Sequence, residues 1–151
     1  MMMMLPLTRV FGLRALLSSA ASATDILRGK QYEDYCTYTT WVGETSINSP
    51  LADDCIQLAK SYENAHSGIF LTSVGPDTFS QLGWHGTCAF GVRPVIKAGR
   101  KTNIWFGSTD IHDLVFDATM RFKNTRTGKI GASGVAHCGD TQVNWGVYHK
   151  T

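Results

Sequence analysis

The sequence predicts an α+β fold: two helices packed on an antiparallel β-sheet, a two-layer sandwich stabilised by disulfides. Three observations carry this. Residues 49–62 and 108–122 repeat apolar side chains at helical spacing. Other runs are short, branched or aromatic, and end in glycine, proline or aspartate turns. Four cysteines, an even number, are dispersed through a short chain with an export-like leader.

The leader is residues 1–23, MMMMLPLTRVFGLRALLSSAASA, which hold two arginines, Arg9 and Arg14, and no acid. Ala21-Ser22-Ala23 has the small-x-small form of a signal-peptidase site, although Arg14 interrupts the apolar run. A secretory signal peptide is preferred over a mitochondrial transit peptide, and the expected location is extracellular. Residues 24–34 read as an N-terminal extension and 35–151 as one domain. Residues 24–40 are polar and tyrosine-rich without a clear period.

Thr39–Gly43 reads as a short strand. In the first helix Ser49 is the expected N-cap, Pro50 the first helical residue, and Asp53 and Asp54 favour the first turns. Leu51, Cys55, Leu58, Ala59 and Tyr62 form its apolar stripe. Strands are expected at 68–74 and 86–92, the second placing Cys88, Phe90 and Val92 on one face. Residues 93–101 read as a loop and 103–107 as a brief strand. The second helix, capped by Ser108 or Thr109, turns Ile111, Leu114, Val115, Ala118 and Phe122 inward. Asp110, Asp113 and Asp117 are expected on its wet side. Residues 129–138 and 142–149 then form a hairpin about Gly139-Asp140.

Several functions are disfavoured. Removing residues 1–23 leaves a formal net charge of zero, because that segment holds two of the 14 basic residues and none of the 12 acids. The clusters Arg93, Lys97, Arg100, Lys101 and Arg121, Lys123, Arg126, Lys129 lack the interleaved aromatics of a nucleic-acid stripe and read as solvated surface. No nucleic acid partner is expected, and no later segment has the length for stable membrane insertion. The five histidines, 66, 85, 112, 137 and 149, form no metal-binding motif. Glycine-rich nucleotide loops and the G-x-S-x-G elbow are absent, so neither metal nor cofactor is expected.

As a nucleophile Cys88 would need a base. His85 is three residues away, and a continuous strand would point the two to opposite faces. Disulfide bonding of Cys36, Cys55, Cys88 and Cys138 is the preferred reading, with three pairings open on spacing alone. The paired aspartates 53 and 54 are explained by a helix start rather than by glycosidase chemistry. Trp41, Trp84, Trp105 and Trp145 read as core or half-buried.

An ordered set of segments then gains weight: ADDC at 52–55, GTCAFGV at 86–92, FGSTDIHDLVFDATMRF at 106–122, GKIGASGVAHC at 128–138 and VNWGVYH at 143–149. Together they resemble the necrosis-inducing-factor domain of small secreted fungal proteins related to an extracellular effector of the tomato leaf mould fungus. The resemblance covers about residues 35–149. It implies a secreted, cysteine-paired effector or virulence protein with no established catalytic residues. Such a protein binds a host protein or cell-surface component and can induce plant cell death. Some relatives carry the domain beside chitinase modules and resemble killer toxins, so a toxin-like antimicrobial protein is the alternative. A carbohydrate-binding module, a small secreted hydrolase and a structural or storage protein are the remaining readings. The resemblance carries over the cysteine set and fits pairing Cys55–Cys88 and Cys36–Cys138. Each bridge would contribute roughly 4–5 kcal/mol by the chain-entropy estimate. A monomer is expected.

Overall fold

A computed structural model describes residues 24–151, so the expected signal peptide at 1–23 lies outside the described residues. The strands are β1 (Thr24–Arg28), β2 (Cys36–Thr39), β3 (Val42–Gly43), β4 (Ser67–Val74), β5 (Ser80–His85), β6 (Cys88–Pro94), β7 (Thr102–Gly107), β8 (Ala132–Cys138) and β9 (Thr141–His149). The helices are α1 (Ala52–Tyr62) and α2 (Ser108–Phe122), with a 3-10 turn at Lys30–Tyr32. Two helices on antiparallel β-structure with two disulfides is the expected class. The strands divide into two ladders: β1-β4-β7, and a larger one in which β2 and β3 both pair with β8, followed by β9, β6 and β5.

Alternation explains the larger ladder. Val92 pairs with Trp145 and Phe90 with Val147, and all four are buried inward. Arg93 pairs with Asn144, and Gly91 with Gly146, on the outer face. In the smaller ladder Ile69 pairs with Phe106 and Leu71 with Ile104, again inward. Both inner faces and both helices share one core, where the rings of Phe90 and Phe106 lie 5.7 Å apart.

Strand β5 lay in a stretch with no strand expected. SQLGWH has few branched residues, so its period is weak; it is held by pairing with β6. Gly86-Thr87 is the turn between them, with Gly86 at φ +52°. His85 and Cys88 are therefore direct partners across a hairpin, not residues of one strand. Strand β6 also runs on to Pro94, into the expected loop. The 39–43 strand is in fact two pieces, β2 and β3, separated by Thr40 and Trp41.

Both helix starts differ from expectation. Leu51 is the residue preceding α1, without a side-chain cap, and it is exposed rather than part of the stripe. Ser49 Oγ instead accepts from the backbone N–H of Ser46, closing the preceding turn. Leu51 N–H donates to Thr87 Oγ1. Gly107 precedes α2, and Asp110, three residues on, accepts from its N–H. This is half of a capping box. Ser108 Oγ is used elsewhere, accepting from Ser67 N–H.

Candidate functional site

The first half of α2 faces β2 and the segments flanking it, leaving a cleft of about 320 Å³. Asp34, Asp110, Asp113 and Asp117 line it, with Tyr38 and Trp41. Helical spacing brings Asp110, Asp113 and Asp117 to one side of α2. Asp34, Asp113 and Asp117 are exposed, as expected for the two on the helix. Asp110 is buried, which corrects its expected place on the wet side. The apolar stripe assigns polar residues to solvent, but here the chain before β2 covers the helix start.

Asp110 builds the cleft. Its Oδ2 accepts from Gly107 N–H at 2.8 Å and from Tyr35 N–H at 2.9 Å, and its Oδ1 from Cys36 N–H at 3.0 Å. One carboxyl thus ties the 35–36 backbone to the start of α2. Burial pushes its pKa up to about 7, the three N–H donors pull it down, and the nearby Asp34 carboxylate pushes it up. The other wall is fixed by β2. Cys36 is bonded to Cys138, its direct partner across β2 and β8. Trp145 Nε1 donates to Thr39 Oγ1 at 2.6 Å. Trp41 packs edge-on against Trp145 at 5.2 Å, with the Arg121 guanidinium 4.5 Å above its ring. Tyr38 stacks on His137 at the rim.

A carboxyl with a pKa near neutrality has the proton affinity of a general acid. Here both oxygens are engaged by backbone donors, and Asp113 is paired with His112 Nδ1 at 2.9 Å. The surface instead offers three exposed carboxylates beside aromatic rings, which suits contact with cationic or hydroxyl-rich groups. Among the described residues, no three His, Cys, Asp or Glu side chains gather to hold a metal ion.

Of the residues singled out in the sequence, Cys55 is bonded to Cys88, joining α1 to β6 inside the core. Asp54 accepts from Thr87 N–H and Thr87 Oγ1, so it holds the β5–β6 turn as well as standing in the first turn of α1. Those bonds lower its pKa, and His85 nearby lowers it further. The tryptophans are dispersed: Trp145 is buried, Trp41 and Trp105 half-buried, and Trp84 exposed under the Lys150 ammonium. Trp105 lies in a second hollow of about 370 Å³ with Tyr35, Phe70, Asn103 and Asp140. Phe70 and Trp105 are cross-strand partners with ring centres 4.2 Å apart. No helix of the described residues is long and apolar enough to cross a membrane.

A family model described as "pathogen effector; putative necrosis-inducing factor" matches residues 35–138. The chain is 29% identical over 122 residues to "Secreted chitinase LysM12" of Penicillium expansum, which covers 77% of this chain and 8% of that protein. It is 33% identical over 117 residues to "Probable chitinase LysM18" of the same organism, covering 75% of this chain and again 8% of the relative. The chain thus spans about 8% of the length of these curated relatives.

Proposed function

This chain belongs to the Hce2 pathogen-effector family, and from that premise we propose that it is a secreted fungal effector that acts by binding. The partner is a host protein or cell-surface component, contacted through the acidic cleft, and the outcome in a plant host is cell death. The observation that carries a binding role is the state of Asp110. Both of its oxygens are engaged by backbone N–H groups, so the carboxyl serves as a strut. Export requires removal of residues 1–23, leaving the 24–34 extension and the domain at 35–151, which acts as a monomer. Strand β1 pairs with β4, so the extension adds an edge to the smaller ladder.

The test is infiltration of purified, oxidised chain from residue 24 onward into host leaves, paired with a pull-down. Wild type is expected to give a response and a partner. D34N/D113N/D117N, which changes only exposed groups, is expected to lose both at unchanged melting temperature. An unchanged response from the triple variant, or no response across a wide panel, would count against the reading. Fungal and bacterial growth assays test the antimicrobial alternative.

A second reading has its own observation. The Tyr35, Phe70 and Trp105 rings with Asn103 and Asp140 resemble a sugar-binding shelf, and the relatives' names specify chitinases. Retention on insoluble chitin, lost in W105A, would favour a carbohydrate-binding module.

A further inference from the structure

The outer face of the larger ladder holds a separate pocket of about 150 Å³ that shares no residue with the acidic cleft. At its floor Arg93 stands opposite Asn144, and Ser133 opposite Gly146. The Arg93 guanidinium lies 4.7 Å over the Phe79 ring, and Phe79 stacks beside Tyr148 at 5.6 Å. Phe79 in turn rests on the glycine pair Gly91 and Gly146, where added Cβ atoms would meet it at 3.1 Å. The stack fixes the planar fork in one orientation. Arg93 Nε is sealed from solvent without a hydrogen-bond partner. No carboxylate among the described residues is in ion-pair contact with Arg93. Among the described residues the Arg93 side chain makes no hydrogen bond or ion pair, so the terminal nitrogens of its guanidinium, rather than the sealed Nε, are left for an acceptor supplied from outside.

We propose that this pocket binds a carboxylate-bearing sugar, a uronate residue of a polysaccharide. The guanidinium fork matches a carboxylate in two parallel hydrogen bonds. Ser133, Asn144 and the Tyr148 hydroxyl supply neutral partners for ring hydroxyls, and Phe79 and Tyr148 offer apolar ring surface. Glu44 at the edge accepts from a hydroxyl and disfavours densely anionic ligands such as polyphosphates. The volume suits one ring-sized group. The inference goes beyond the effector reading and does not depend on it.

The test is titration of the oxidised chain, followed by amide NMR shifts, with galacturonate and its trimer. Galactose, acetate and a short peptide with a free C-terminus serve as comparisons. The uronates are expected to shift Arg93, Ser133, Asn144 and Gly146, at least tenfold more tightly than galactose or acetate. R93Q is expected to weaken uronate binding at least tenfold, and S133A severalfold, with both variants melting as wild type. If R93Q fails to fold, S133A and the shift map decide. Equal binding of galactose or acetate, tighter binding of the peptide, shifts confined to the acidic cleft, or no binding at all would overturn the assignment.

Discussion

Asp110 and Asp54 are both aspartates in the first turn of a helix, and their surroundings drive them in opposite directions. Burial raises Asp110 to about 7, whereas bonds from Thr87 lower Asp54. A raised carboxyl binds its proton more tightly when folded. Its stabilisation is complete below the unfolded value near 3.9 and is lost as pH rises through about 7. Asp54 contributes above its unfolded value and loses that contribution as pH falls through its lowered folded value. On these two groups stability should therefore peak at about pH 4, the unfolded value they share, and decline from there towards neutrality. Thermal melts of wild type are expected to fall in Tm from pH 5 to pH 8. D110N should melt lower throughout, because its amide nitrogen faces N–H donors, and without that slope. A wild-type Tm independent of pH between 5 and 8 would refute the raised carboxyl. The stripe of α2 was legible, but Asp110 was misassigned because the chain that covers it lies 75 residues away. Its third position after Gly107 was the available signal.

The elements differ in how plainly they could be read. The α2 bounds and the Gly139-Asp140 hairpin follow directly from period and turn residues. Strand β5 did not, since its six residues owe their conformation to β6. The junction of β7 and α2 shows how little room the cleft wall leaves. A Cβ on Gly107 would come 2.0 Å from the Glu33 carbonyl oxygen and 2.7 Å from Asp34 N. Its φ is −89°, so the need for glycine there is space. G107A is expected to cost about 3 kcal/mol by forcing the 33–36 segment off the helix start. G139A has open space but a φ of +61°, and should cost about 1 kcal/mol. Chemical denaturation of the two variants checks the order; a loss in G107A no larger than in G139A would show that the 33–36 segment yields cheaply to the added methyl group.

At the scale of the whole molecule the sulfur bridges dominate. Cys36–Cys138 closes a separation of 102 residues and Cys55–Cys88 one of 33. Chain entropy assigns them about 5 and about 4 kcal/mol, comparable to the net stability of many domains. Loss of either bond by paired Cys→Ser substitution should lower Tm by roughly 10–20 °C, and full reduction by more. A melting curve unchanged on complete reduction would show that the core suffices alone. The class of fold was legible because helices and strands announce themselves locally. Division into two ladders and the acidic cleft were not. The cleft gathers Asp34, Trp41, Asp117 and Ala136, and no local pattern brings such distant segments together.

The two bridges are also nested, the shorter covalent ring lying wholly within the span of the longer. The exposed Lys97, Arg100 and Lys101, between β6 and β7, offer a trypsin-like protease an obvious place to cut. A break there falls inside the outer ring, so the fragments stay joined through Cys36 and Cys138. The severed ends are held by β6 and β7, and β9, which follows the ring in sequence, remains between β6 and β8. A nicked molecule thus keeps its parts together, and separation waits on a reductant.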